Sequence, residues 1–321
     1  MKKIVLPAAA WAILCSSCAS LTKSQVEAVN HFSKTSANFS AYPSKVITAL
    51  ADVYVERGVY LVNSLDDFEE IQAASDQNDD SSAEKTVTQH INELDQLMLS
   101  KKKGYATGAN VDITFKIIDK YIQSLAVLSS DKHITAVGDQ AVDLGAGLDS
   151  LIGVYNAMPD TKKVNKGIGG LVGSVIMAGG KQWVRAKQAN EIKRFVPAAD
   201  EMIGVMTDNL LTFLRSGKID SLIRNERQGI ASDYKSFLRH RQPTVQNERE
   251  YLQLYMDVAH IDELRQQTIS ATRALRTAHA ALTEQILAKK DVHEIITALQ
   301  QLYEDVKEVK TTIKAIDAPK K

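Results

Sequence analysis

Apolar residues recur three or four positions apart along nearly the whole of this 321-residue chain. That spacing places them on one face of an α-helix, whereas a half-buried strand requires strict alternation. Two heptad stripes follow one another in the C-terminal part: Ile261, Leu264, Thr268, Ala271, Leu275, Ala278 and Leu282, then Val292, Ile295, Leu299, Leu302, Val306, Val309, Ile313 and Ile316. The sequence therefore predicts an all-α fold, an elongated multi-helix bundle with coiled-coil-like C-terminal helices.

Prolines, glycines and polar runs predict where these helices begin and end. Pro43 suits the first turn of a helix whose stripe contains Val46, Leu50, Val53, Arg57 and Leu61. The polar run at 77–82 predicts a loop, and the glycines at 104–108 predict a second one. The helical body predicted in this way covers residues 25–317, with sub-boundaries near 77–82, 159–164 and 243.

Three further helix ends follow from the same signals in the C-terminal half. Pro197 is expected to start a helix, and Gly217 to interrupt it. The heptad changes phase near Lys289, which predicts a bend or a short break between two helices.

Charge is balanced, since Lys plus Arg and Asp plus Glu both number 39. A chain without net charge has no general electrostatic attraction to nucleic acid, so we predict no nucleic-acid partner. The two cysteines, Cys15 and Cys18, both lie near the N-terminus. The body therefore has no disulfide and no cysteine metal site, and packing must stabilise it.

The N-terminus has the pattern of a secretory signal. Lys2 and Lys3 precede an apolar run at 4–14, which is too short for a stable membrane-spanning helix. The next residues, Leu14-Cys15-Ser16-Ser17-Cys18, place two small side chains before a cysteine. This segment resembles the lipobox of bacterial lipoproteins, although Cys15 stands where that family usually has leucine. An ordinary signal peptide, cut for instance after Ala19, is the alternative.

The resemblance implies that residues 1–17 are removed and that Cys18 becomes the acylated N-terminus of the mature chain. Three acyl chains exceed the two signals needed for stable membrane anchoring. Ala19, in place of the aspartate that retains such proteins in the inner membrane, implies attachment to the outer membrane. A tether at 18–24 would then hold the body close to the membrane surface.

The segment 167–180 is apolar and rich in glycine, unlike the rest of the chain. Gly169 and Gly173 are four apart, as are Gly170 and Ser174, so small residues share a flat helix face. We expect this face to pack closely against the small residues of the preceding helix, which are Gly138, Ala141, Gly145 and Asp149. The alternative is that this segment inserts into a membrane.

Candidate chemical sites are few. Asp257, His260 and Glu263 lie three apart, but a di-iron bundle needs a second acid-x-x-His pair, which is absent from the sequence. We find no nucleophile elbow and no nucleotide-binding loop. The sequence therefore predicts no metal, no cofactor and no catalytic residues.

These observations predict a non-enzymatic, lipid-anchored envelope protein with a structural, scaffolding or partner-binding role. Its partners would be the membrane, through the lipid, and another protein or a second copy of the chain, through the helices. A helical pore-former that inserts 167–180 is the first alternative. An enzyme with a dispersed helical site is the second.

Overall fold

The computed structural model describes residues 21–37, 39, 43–64, 80–130, 134–159, 161–173, 181–240, 242–288 and 292–318. Every secondary-structure element within these residues is an α-helix, so the all-α prediction is confirmed. The described helices are α1 (Lys23–Ser36), α2 (Pro43–Ser64), α3 (Asp80–Leu128), α4 (Ile134–Ala157), α5 (Ile168–Gly173), α6 (Lys181–Leu214), α7 (Gly217–His240), α8 (Val245–Ala288) and α9 (Val292–Ile316).

The chain divides into two compact units. The first unit contains Met1–Asn38, Ile117–Met206 and Leu275–Leu302, and the second contains Phe39–Lys116, Thr207–Ala274 and Tyr303–Lys321. Each has a core of large buried side chains, which include Phe32, Tyr121, Phe195 and Leu302 in the first unit and Phe39, Phe115, Val258 and Leu264 in the second. No described helix is long and apolar enough to cross a membrane.

Several helix ends follow local rules. Pro43 is the first residue of α2, as predicted, because its missing N–H would have no intrahelical partner there. A short break before Gly217 separates α6 from α7, which confirms the interruption predicted there. α8 ends at Ala288 and α9 begins at Val292, so the phase shift of the heptad falls between two helices.

The predicted loop at 104–108 is wrong, because α3 continues through it without interruption. Its glycines serve close packing against α2: a Cβ at Gly104 would lie 2.5 Å from Ala51 Cβ, and one at Gly108 would lie 3.0 Å from Thr48 Cγ2. Glycine weakens a helix by about 1 kcal/mol relative to alanine, and the contact between the helices compensates for that loss. Residues 80–82 of the loop predicted at 77–82 also belong to α3.

The predicted helix start at Pro197 is wrong as well, since Pro197 lies inside α6. Proline removes one helical hydrogen bond and costs roughly 3 kcal/mol. Phe195, Val196 and Ala199 beside it have no exposed area. Burying a large apolar side chain contributes about 1.5–3 kcal/mol, so these neighbours outweigh the defect and keep the helix continuous.

Candidate functional site

The glycine-rich segment folds back onto α4 where the structure describes it. Helices α4 and α5 pack together, and Gly169 is buried at their contact. A Cβ at Gly169 would lie 2.0 Å from the carbonyl oxygen of Gly145 and 2.9 Å from Cγ of Asp149. Two backbones therefore meet at this point, and no larger residue fits at Gly169 without movement.

Asp149 fixes the start of α5. Its Oδ1 accepts hydrogen bonds from the backbone N–H groups of Gly167 (3.1 Å) and Gly169 (2.9 Å). A carboxylate at the N-terminus of a helix satisfies N–H groups that lack intrahelical partners. Gly167 has φ of 100°, a left-handed conformation that glycine adopts without strain.

The connection from α4 to α5 is held by a second side chain. Asn156 Oδ1 accepts from the N–H of Val164 (2.9 Å), and Asn156 Nδ2 donates to the carbonyl of Val164 (2.8 Å). Asp149 and Asn156 are seven residues apart on α4, so both lie on the same face. They make α4, the connection and α5 a hydrogen-bonded hairpin.

The other predicted site residues have different surroundings. Gly170 is exposed, and a Cβ there would meet open space. Gly173 is the last residue of α5. Ser174 and Cys18 lie outside the described residues.

The polar residues Asp257, His260 and Glu263, which the sequence spaces three apart, lie on α8 in different surroundings. Asp257 is buried and accepts a hydrogen bond from Gln253, His260 is half-buried, and Glu263 is exposed and accepts from Gln267. Among the described residues, no group of three His, Cys, Asp or Glu side chains is placed to hold a metal ion.

A buried histidine that the sequence analysis missed lies in the core of the first unit. His279 and Tyr121 are both 0 % exposed. His279 Nδ1 lies 3.0 Å from Asp200 Oδ1, and Nε2 lies 2.7 Å from the Tyr121 hydroxyl. A carboxylate only accepts, so Nδ1–H donates to Asp200. In the neutral imidazole Nε2 then has no hydrogen and accepts from the Tyr121 hydroxyl.

This hydrogen-bonded chain links α3, α8 and α6. The hydrogen bond from His279 holds the pKa of the half-exposed Asp200 carboxyl below its usual range. Burial raises the pKa of the Tyr121 hydroxyl, and the nearby Asp200 charge raises it further. Because His279 and Tyr121 are closed to solvent, the arrangement supports packing specificity and offers a substrate no direct access.

The second unit contains a partly buried ion-pair cluster centred on Arg57. Arg57 Nε lies 2.9 Å from Glu226 Oε2, and Arg57 Nη1 lies 3.1 Å from Asp233 Oδ2. A Cβ at Gly229 would lie 1.9 Å from Nη1, so the guanidinium rests on bare backbone between the two acids. Burial raises the pKa of Glu226, and Arg57 opposes that rise.

One sequence signal could have identified this ion pair. Arg57 stands in an apolar stripe, at a position that faces the core, where a charge requires a buried partner. His279 gave no such signal, because it stands beside the heptad position Ala278 and not on it.

The N-terminal half of α3 carries an unusual surface. None of the described side chains between 84 and 107 is buried. Val87, Ile91 and Met98 are 41 %, 53 % and 61 % exposed. With the half-buried Leu94 they repeat at four, three and four residues, which is the spacing of a heptad seam. We call these four residues the α3 stripe.

The other side of this half-helix borders a groove. The groove measures about 820 Å³ and lies between α2 and α3. Its lining is Tyr54, Gly58 and Leu61 on α2 and Glu84, Lys85, Thr88, Gln89, Asn92, Glu93, Gln96 and Leu97 on α3. Ile91 is about 200° around the helix from Gln89, so the α3 stripe faces away from the groove.

No family model, curated protein or solved structure compared with this chain matches it. Function must therefore be inferred from the molecule itself.

Proposed function

We propose that this protein is a lipid-anchored helical protein of the cell envelope, acylated at Cys18, that binds a partner protein through the α3 stripe. The observation that carries the binding role is the exposure of Val87, Ile91 and Met98 at heptad spacing. Apolar side chains in one row are typical of a helix that packs on another helix. The row spans about 16 Å, or three helical turns.

The partner that fits this surface is an amphipathic helix with lysine or arginine beside its apolar face. Asp95 is exposed and lies at one edge of the α3 stripe, four residues after Ile91 and three before Met98. Its carboxylate complements a basic side chain at the edge of a partner helix, as charges beside a coiled-coil seam do.

Site-specific photo-cross-linking in intact cells tests this proposal. A benzophenone amino acid at Ile91 should cross-link a partner, whereas the same group at Gln89, on the opposite side of α3, should not. Mass spectrometry of the cross-linked peptide supplies the answer. A segment of another protein with three–four apolar spacing and flanking Lys or Arg would support the proposal.

Three other results would contradict it. A cross-link to a second copy of this chain would make the surface a self-association site. A cross-link from Ile91 to lipid would make the α3 stripe a lipid-contacting surface. Equal yields of cross-linked product from Ile91 and Gln89 would mean that the contact is not specific to the α3 stripe.

A further inference from the structure

The first residues that the structure describes lie three positions after the proposed acylation site. Leu21 is already buried, and Thr22 starts α1 with a capping box. Thr22 N donates to Gln25 Oε1 (2.9 Å), and Gln25 N donates to Thr22 Oγ1 (3.3 Å). Three residues of extended chain span at most about 11 Å, so an acylated Cys18 would hold Leu21 within that distance of the membrane surface.

The same glutamine joins the start of α1 to the end of α8. Gln25 is buried, and its Nε2 donates to the carbonyl of Gln285 at 2.9 Å. α8 ends at Ala288, so this carbonyl is one of the last four, which have no intrahelical partner. The first turn of α1 and the last turn of α8 therefore form one end of the first unit.

The surface of this end has the chemistry of a lipid contact. Leu287 is 65 % exposed, although Ile286 beside it is buried. The side chain of Lys23 is 92 % exposed, and its Nζ lies 3.7 Å from Oε1 of the exposed Glu27. An exposed apolar residue and an exposed cation on two joined helix turns match the boundary between acyl chains and headgroup phosphates.

We propose that this end of the first unit rests on the bilayer, with Leu287 at the acyl boundary and Lys23 at the headgroup phosphates. The inference rests on acylation of Cys18, which is part of the proposed function. One leucine and one lysine bind membranes weakly, so the contact depends on the high local concentration that the anchor provides.

The test uses the full acylated protein with single added cysteines. Once residues 1–17 are removed and Cys18 is acylated, an added cysteine is the sole free thiol. Variants Leu287→Cys and Lys23→Cys carry an environment-sensitive fluorophore near the proposed contact. The matched control is Lys34→Cys, an exposed position on α1 about 16 Å further along the helix.

The labelled proteins are reconstituted into vesicles of phosphatidylcholine and phosphatidylglycerol that contain nitroxide-headgroup lipid. We expect labels at 287 and 23 to lose most of their fluorescence and the label at 34 to keep nearly all of it.

Equal quenching at 23 and 34 would mean that α1 lies flat on the membrane, which overturns the end-on contact. Unquenched labels on a protein whose intact mass shows three acyl chains would overturn the contact and leave the anchor standing. An intact mass without acyl chains, with no flotation, would overturn both.

Discussion

Two neighbouring glycines of α5, Gly169 and Gly170, differ in the space that the fold leaves for a side chain. A Cβ at Gly169 would lie 2.0 Å from the Gly145 carbonyl oxygen, whereas Gly170 faces open space. Helix propensity favours alanine at both positions, so their difference comes from the packing of α5 against α4.

We therefore predict that Gly169→Ala lowers the free energy of unfolding by about 1–3 kcal/mol, the usual cost of overpacking. Gly170→Ala should instead raise it by about 0.5–1 kcal/mol, because alanine is the better helix former. Urea titration followed by circular dichroism measures both. Equal effects of the two substitutions would show that α5 does not pack on α4 as described.

Asp200 gives the first unit a specific response to acid. Its pKa is lower in the folded protein than in the unfolded chain because His279 donates a hydrogen bond to the carboxylate. Such a group stabilises the fold above its unfolded pKa, near 4, and this contribution is lost as the pH falls through the folded pKa.

Asp200→Asn should therefore lower stability at pH 7 and flatten the decline of stability below pH 4. The urea midpoint, measured at a series of pH values from neutral to strongly acidic, checks this. Glu201→Gln is the matched control, since it removes an exposed carboxylate from the next position of α6. If the stability of Asp200→Asn declined below pH 4 as steeply as that of the unsubstituted protein, His279 would not be paired with this carboxylate.

At the scale of the element, α2 and α3 pack closely because small residues face each other. Gly104 lies opposite Ala51, and a Cβ on Gly104 would come within 2.5 Å of the Ala51 methyl. This contact explains why α3 continues through a segment that local rules assign to a loop.

Gly104→Ala should destabilise the second unit by about 1–3 kcal/mol despite the better helix propensity of alanine. Adding Ala51→Gly should restore much of that loss, because the methyl group is moved from one helix to the other. A double-mutant cycle by chemical denaturation measures the coupling. Additive effects would contradict a direct contact.

The heptad of α9 has a buried face and an exposed face. Leu299 and Leu302 are 5 % and 0 % exposed, as the seam predicts, whereas Ile296 on the same helix is 44 % exposed. Burial rather than hydrophobicity alone should therefore decide the cost of truncation.

Leu302→Ala should lower the free energy of unfolding by about 2–5 kcal/mol, from lost burial and the cavity left behind. Ile296→Ala, the control, should cost about 1 kcal/mol or less. Thermal and urea denaturation of both variants test this difference. If Leu302→Ala lowered the free energy of unfolding as little as Ile296→Ala does, the heptad seam of α9 would be exposed to solvent.

At the scale of the whole molecule, we predict that acylation of Cys18 attaches the protein to a membrane. The prediction rests on Leu14-Cys15-Ser16-Ser17-Cys18, where Cys18 follows two serines and Cys15 follows a bulky leucine. Cys18→Ala should abolish incorporation of labelled fatty acid and leave the signal uncleaved. Cys15→Ala, the control, should still be labelled. The opposite pattern would move the acylation site to Cys15.

The amino-acid sequence determined the fold class and the position of most helices. Apolar spacing is a local property, and Pro43, Gly217 and the phase shift near Lys289 act within a few residues of themselves. These signals can therefore be interpreted without knowing which other helices pack nearby. The burial of Leu299 and Leu302 also followed, because a regular seam specifies which face is apolar.

Tertiary structure alone decided what covers each face. The same three–four spacing is buried at Leu299 and Leu302 of α9 and exposed at Val87, Ile91 and Met98 of the α3 stripe, since coverage depends on helices distant along the chain. Gly104 and Pro197 were misjudged for the same reason: a close contact with Ala51 and the burial of Phe195 outweigh local preferences of about 1 and 3 kcal/mol. His279 is hydrogen-bonded to Asp200, which is 79 positions away along the chain, and to Tyr121, which is 158 positions away. No local sequence pattern encodes contacts over such separations.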